Sequence, residues 1–123
     1  IQNSFKDNRI KAFVALSPAL GLGFDNIEQT KNINAPILII GAENDQIAPI
    51  KTNAENYNKL IPNSMFIKLE GEVGHYIFLN EGNESLKKEA KKYYKDDKTI
   101  NRETIHRNIE KEIINFFLNT LNK

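Results

Sequence analysis

Two ionisable side chains follow apolar runs of this sequence in positions that suit proton-transfer chemistry. Asp45 comes a few residues after the run APILIIG, and His75 comes a few residues after MFIKL, inside the turn GEVGHY. A carboxylate beside an imidazole fixes the tautomer of the ring and stabilises its protonated form. If the two side chains meet, His75 is a general base and Asp45 orients it.

Three apolar segments must position these residues. They cover residues 10–16, 35–41 and 64–71, and the middle one is a continuous apolar run. Such a run is typical of a central strand that is buried on both faces of a parallel sheet. A helical pattern over residues 51–61 joins the second segment to the third. A connection of this kind implies a right-handed crossover between parallel strands.

The sequence after the histidine turn predicts two further helices. Residues 84–94, which overlap the run LKKEAKKYYKDDK, predict a lysine-rich and mostly solvated helix, and residues 101–121 predict an amphipathic one. The apolar face of the second helix contains Ile105, Ile109, Ile113, Phe116, Phe117 and Leu121. The predicted fold class is therefore α/β, a parallel sheet with helices on its faces. Catalytic groups gather at the carboxyl ends of such strands, where Asp45 and His75 both lie.

Composition and charge exclude several classes of function. The chain has 123 residues, 40% of them hydrophobic, and a net charge of +1. These values suit one small domain and give no electrostatic case for a nucleic acid or membrane partner. The absence of cysteine removes thiolate chemistry, and no metal-ligand spacing or phosphate-binding loop is present. We therefore predict no metal and no organic cofactor, and we interpret GLG at 21–23 as a turn.

Other polar and aromatic residues have weaker functional interpretations. Glu43 is a rival acid on the loop that carries Asp45, and Glu72 is interpreted as a charge at the rim of the site. His106 lies beside the apolar stripe of the last helix, so we predict that it is solvated. Tyr76 and Phe78 are predicted to pack beneath the histidine turn, and Tyr76 is also a candidate substrate contact.

Three segments together resemble the C-terminal half of an α/β-hydrolase, and most closely the dienelactone hydrolase-like group. They are DNRIKAFVALSPALG, APILIIGAENDQIAP and GEVGHYIFLNE. The resemblance implies that Asp45 is the triad acid and His75 the triad base. It also implies that the segment SPALG lines the site without reacting, which makes Ser17 a candidate substrate contact. The implied reaction is hydrolysis of a small-molecule ester or lactone through an acyl-enzyme.

The nucleophile that such a family needs is absent from the sequence. No Gly-x-Ser-x-Gly elbow occurs, and we predict that none of the four serines has the small neighbours that this strained turn requires. The oxyanion donors of the family also come from upstream segments. The chain begins with Ile1 and offers three strands. We therefore expect residues 1–123 to be a single α/β unit, the C-terminal portion of a larger hydrolase domain, and inactive alone.

Two alternatives from other classes stay open. The chain is either catalytic, as above, or a non-catalytic remnant that serves as a binding or oligomerisation module. In the second case an exposed sheet edge or helix face would join copies of the chain into a homo-oligomer. A flavodoxin-like or Rossmann-type binder is the other alternative. It needs a phosphate-cradling loop after the first strand, and SPALGLG does not open a convincing helix there.

Overall fold

A sheet of three parallel strands, in the order β1-β2-β3, forms the centre of the structure. The computed structural model describes residues 7–122, so Ile1 and one of the four serines, Ser4, lie outside the described residues. The strands are β1 (Phe13–Leu16), β2 (Ile37–Ala42) and β3 (Ser64–Leu69). The predicted α/β class, a parallel sheet with helices on its faces, is confirmed.

Helices connect and cover these strands. They are α1 (Ala54–Leu60), α2 (Glu84–Glu89), α3 (Lys91–Tyr94) and α4 (Arg102–Leu121), with 3₁₀ turns at Gly21–Gly23, Ile27–Gln29, Ile50–Thr52 and His75–Phe78. The prediction of one helix over 84–94 is wrong, because the chain leaves helical geometry at Ala90 (φ −121°, ψ 48°). In the part of the chain that the structure describes, no helix is long and apolar enough to cross a membrane.

Strand β2 is buried on both faces, as its continuous apolar run predicts. Successive side chains of a strand point to opposite faces of the sheet. Leu38 and Ile40 therefore join one cluster with Ile109 and Phe116 of α4. Ile39 joins a second cluster on the other face, with Ile50, Ala54 and Ile61. Full burial of each of these strand side chains contributes about 1.5–3 kcal/mol, so the central strand is the best-anchored part of the sheet.

Helix α4 packs on the sheet through most of its predicted apolar face. Ile105, Ile113 and Phe117 lie against the cluster that contains Ile109 and Phe116. Leu121 belongs to the same predicted face but is 51% exposed. It lies in the last turn of the helix, so the apolar contact ends before the helix does.

The outer edge of β1 is open among the described residues. β1 pairs with β2, and none of the other strands between residues 7 and 122 pairs with it. Two large apolar side chains of this strand, Phe13 and Leu16, are 41% and 42% exposed. An open edge with unpaired backbone groups and exposed apolar side chains is a surface on which further chain can pair.

Gly21 lies against the turn that precedes α1, and a larger residue does not fit there. Its N–H donates to Asn53 Oδ1 at 2.9 Å, and an added Cβ would lie 2.3 Å from the Thr52 carbonyl oxygen. We expect Gly21→Ala to lower the free energy of unfolding by about 2 kcal/mol, since backbone must move to make room.

Chemical denaturation of the Gly21→Ala variant checks this, with Gly23→Ala as the matched control. A Cβ on Gly23 meets no atom within 4 Å, so that change should stay within about 0.5 kcal/mol. Equal effects of the two substitutions would contradict the steric argument.

Candidate active site

The loop after β2 buries the Asp45 carboxylate and fixes its orientation. Asp45 Oδ1 accepts hydrogen bonds from the N–H groups of Ile47 (2.9 Å) and Ala48 (2.7 Å). An aspartate that binds the backbone two and three residues on is a standard way to hold a tight turn. Oδ1 therefore bonds to the loop, and Oδ2 can accept a hydrogen bond from another partner.

That partner is His75, which opens the 3₁₀ turn after β3. Its Nδ1 lies 2.7 Å from Asp45 Oδ2. Because an ionised carboxylate only accepts hydrogen bonds, Nδ1 carries the hydrogen and Nε2 is the nitrogen that can accept a proton. The Asp45 side chain is 1% exposed and that of His75 is 25% exposed. The acid is therefore buried and the imidazole is accessible, which is the arrangement a general base needs.

A second histidine supports the turn that carries the first. His106 of α4 is half-buried, and its Nε2 lies 2.5 Å from the carbonyl oxygen of Ile77. The ring N–H donates to this carbonyl and ties the 3₁₀ turn to α4. The prediction that His106 is solvated is wrong, because its position beside the apolar stripe directs it to the histidine turn.

Glu43, the rival acid, is engaged away from the imidazole. Its Oε1 accepts from Lys68 Nζ at 3.0 Å and its Oε2 from the Gly71 N–H at 2.6 Å. These two donors, with the Gly71 N–H as the stronger, lower the pKa of the Glu43 carboxyl. The structure thus pairs His75 with Asp45, and Glu43 serves to join the ends of β2 and β3.

The lowered pKa of Glu43 gives a pH-dependent prediction about stability. A carboxyl with a lowered folded-state pKa stabilises the protein above its ordinary value of 4.5, and this contribution disappears as the pH falls through the lowered value. We expect Glu43→Gln to lower Tm at neutral pH, and the difference from the unsubstituted protein to disappear once the pH has fallen below the lowered pKa of Glu43.

Thermal unfolding from neutral to acidic pH checks this, with Glu70→Gln as the control. Glu70 is exposed and lies 3.7 Å from the same lysine, Lys68, so its replacement should have a smaller effect. A Tm difference for Glu43→Gln that stays constant over the whole pH range would contradict the assignment.

Two tyrosine rings lie beside the imidazole. The rings of His75 and Tyr76 lie 5.2 Å apart edge to face, and Tyr76 meets Tyr93 of α3 at 4.7 Å. Lys92 Nζ lies 5.9 Å from the centroids of both tyrosine rings. Tyr76 therefore packs beside the histidine turn and not beneath it. Phe78 is partly buried and packs against two of the core clusters.

Part of the lysine-rich segment lines a cavity of the site, although its residues 84–94 are mostly exposed, as the sequence predicts. A cavity of about 390 Å³ opens between the histidine turn and this segment. Its lining includes His75, Tyr76, Lys92 and Tyr93, with Glu72 at its edge. Glu72 is exposed and accepts from Asn44 Nδ2 at 2.7 Å, consistent with a charge at the rim.

A buried arginine, which the sequence analysis missed, fixes this segment. The Arg102 guanidinium donates to both oxygens of Asp96 at 2.8 Å and to the carbonyl oxygens of Leu79, Asn80 and Tyr93. The hydrogen bond to Asp96 raises the pKa of Arg102. One side chain thus joins the end of the histidine turn, α3 and the start of α4.

Ser17 lies at the carboxyl end of β1 in an unusual conformation. It is 7% exposed and has φ 39°, a positive value that side-chain-bearing residues rarely adopt. Its Oγ has no hydrogen-bond partner among the described residues. The prediction that none of the serines has small neighbours is wrong for Ser17, because Ala15 and Ala19 stand two residues before and after it.

Ser17 and His75 face a common cavity of about 250 Å³. The other lining residues are Leu16, Tyr76, Phe78 and Leu79. Both candidate substrate contacts from the sequence, Ser17 and Tyr76, therefore line a cavity that His75 also lines. Within residues 7–122 no group of three or more histidine, aspartate or glutamate side chains is placed to hold a metal ion.

Comparison with known proteins identifies the class to which this fold and site belong. A family model described as TAP-like protein, of the α/β-hydrolase class, matches residues 23–105, which is more than half of the chain. The chain therefore belongs to this α/β-hydrolase family. The matched residues include Asp45 and His75. No curated protein matches the chain.

Proposed function

We propose that His75 and Asp45 are the base and the acid of a catalytic triad in a hydrolase that acts on carboxylic esters or lactones. The observation that carries the proposal is the 2.7 Å contact between His75 Nδ1 and Asp45 Oδ2. The burial of the acid and the accessibility of the imidazole support it further. A merely structural histidine would not need a buried carboxylate whose second oxygen is fixed by two backbone N–H groups.

In this mechanism His75 Nε2 takes the proton of a serine or cysteine nucleophile, whose oxygen or sulfur bonds to the substrate carbonyl carbon. The imidazolium then protonates the leaving alkoxide as the carbon–oxygen bond breaks and an acyl-enzyme remains. Water attacks the acyl-enzyme, His75 accepts the water proton, and the same proton returns to the nucleophile as the acid product leaves. Asp45 stabilises the imidazolium in both halves. In a lactone the leaving alcohol stays attached to the acyl group.

The nucleophile comes, in our proposal, from an upstream part of a larger α/β-hydrolase domain. No Gly-x-Ser-x-Gly elbow occurs in the sequence. The open edge of β1, with Phe13 and Leu16 exposed, is where a further parallel strand would pair. The resemblance of the strand-end segments to dienelactone hydrolase-like proteins supports a small ester or lactone substrate. The near-neutral net charge favours a small molecule over a nucleic acid or a membrane surface.

A second candidate function is favoured by the same open edge. A non-catalytic α/β-hydrolase-like module would use β1 to pair with a second copy of the chain, and its Asp45–His75 contact would be a relic. Such a module predicts a homo-oligomer of short chains and no covalent label on any serine or cysteine.

Active-site labelling of the native protein separates the two candidates. A fluorophosphonate labels an activated serine, iodoacetamide labels an activated cysteine, and peptide mapping locates the label. We expect one labelled residue upstream of this chain, within a glycine-flanked turn, and a loss of labelling in His75→Ala. A native protein of 123 residues that takes no label would overturn the catalytic proposal and support the module.

A further inference from the structure

The cavity that Ser17 and His75 share has in its wall a buried serine whose hydroxyl bonds to none of the described residues. Ser17 Oγ is buried without a hydrogen-bond partner among the described residues, although buried polar groups are nearly always paired. Its backbone is held at φ 39°, although the proline that follows favours an extended conformation. Conformations of this kind persist where the surrounding structure enforces them, and they are concentrated at functional sites.

The rest of the cavity is small and mostly apolar. Leu16, Phe78 and Leu79 line it, together with Tyr76 and His75. Its volume of about 250 Å³ falls below the roughly 300–1,000 Å³ of sites that hold drug-sized ligands. An occupant that matches this lining has a short hydrocarbon part and an oxygen atom that accepts a hydrogen bond.

We propose that this cavity is the acyl-group subsite of the hydrolase, and that Ser17 Oγ donates a hydrogen bond to a carboxyl oxygen of a short-chain substrate. The inference rests on the proposed function, because it places the reacting carboxyl group beside His75. It assigns the substrate class as esters or lactones with short apolar acyl groups. Ser17 is a specificity and positioning residue in this assignment.

Ser17 does not have the hydrogen bond that a nucleophile of this chain would need. Activation of a serine requires its hydroxyl to reach the base, and Ser17 Oγ has no partner within residues 7–122. We therefore assign Ser17, with its small neighbours Ala15 and Ala19 and its positive φ, as a hydrogen-bond donor to the substrate. Fluorophosphonate labelling distinguishes such a donor from a nucleophile.

The test uses the complete native protein, with p-nitrophenyl esters of acetate, butyrate and decanoate as substrates and butyrate as a product inhibitor. Ser17→Ala and Ser17→Gly both remove the hydroxyl, and glycine also accepts φ 39° without strain. We expect both variants to weaken butyrate inhibition by about 5- to 10-fold, the effect of one lost hydrogen bond. Ser85→Ala, an exposed serine of α2, is the matched control and should change nothing.

A second variant tests the apolar part of the cavity. Leu79→Trp should fill it and shift the preference from the butyrate ester to the acetate ester by at least about tenfold, as a few methylene groups are excluded. Unchanged butyrate inhibition in both Ser17 variants and an unchanged ester preference in Leu79→Trp, with turnover intact, would overturn the inference and leave the proposed function standing.

Failure of the proposed function has a different signature. If the native protein hydrolyses no ester, butyrate binding followed by NMR still tests the cavity, because binding needs no nucleophile. Loss of that binding in both Ser17 variants would support the subsite, and equal binding in all variants would overturn it. A fluorophosphonate label on Ser17 would also overturn it, because Ser17 would then be the nucleophile.

Discussion

The His75→Ala variant of the complete native protein is expected to lose about 10⁴-fold in kcat for ester hydrolysis, with little change in KM. In the proposed mechanism Nε2 of the imidazole takes the nucleophile's proton and returns it to the leaving group, and alanine offers no atom for either step. Substrate binding should persist, because the cavities beside the turn are lined mostly by other residues. Steady-state kinetics with a chromogenic ester checks this result.

Asp45→Asn removes the carboxylate of the proposed acid and keeps a side chain of nearly the same size and shape. Asparagine Oδ1 can still accept from the Ile47 and Ala48 N–H groups, so the loop after β2 should keep its shape. The amide N–H₂, however, cannot accept the Nδ1–H of His75, and the ring adopts the other tautomer. We expect kcat to fall by about 10³- to 10⁴-fold.

Glu43→Gln is the matched control for the His75 and Asp45 variants. Glu43 lies on the same loop as Asp45 but is paired with Lys68 and the Gly71 N–H. Its kcat should stay within about twofold of the native value, since its carboxylate does not contact the imidazole. A normal rate in His75→Ala, or losses of similar size in Asp45→Asn and Glu43→Gln, would contradict the triad assignment.

The pairing of Asp45 with His75 was predictable because it depends on strand order. Each residue follows an apolar strand, and neighbouring parallel strands end at the same edge of the sheet. The buried strand β2 was predictable from the same apolar run. The choice between Asp45 and Glu43 was harder to make, because both lie on one loop. Backbone N–H groups determine the orientation of each carboxylate, and the positions of these groups cannot be read from residue types.

The parts that sequence patterns did not reveal depend on long-range contacts. The lysine-rich segment has the composition of a solvated helix, yet a break at Ala90 and the bonds of Arg102 place Tyr93 against Tyr76. His106 has no pattern that indicates its carbonyl partner, Ile77, 29 positions away. In each case a polar side chain is paired with backbone that is distant in sequence, and periodicity contains no information about such pairs.

Asp96→Ala is the substitution outside the Asp45–His75 pair with the largest expected effect on stability, about 3 kcal/mol. The Arg102 side chain is 3% exposed and that of Asp96 is 22% exposed. Removal of the carboxylate leaves a buried guanidinium with carbonyl partners but no opposite charge, and breaking a buried pair in this way costs about 3–5 kcal/mol. Because water reaches Asp96 in part, we expect a loss at the lower end of that range.

Chemical denaturation of the native protein measures this loss, and Asp97→Ala is the control at the next position. Asp97 is exposed and holds a local turn through the N–H and hydroxyl of Thr99, so its loss should destabilise the protein clearly less than the loss of Asp96. In the double variant Asp96→Ala/Arg102→Met no unpaired charge remains, and its destabilisation should be smaller than the sum of the two single effects. Strictly additive effects, or equal losses at positions 96 and 97, would show that the ion pair does not hold this segment beside the imidazole.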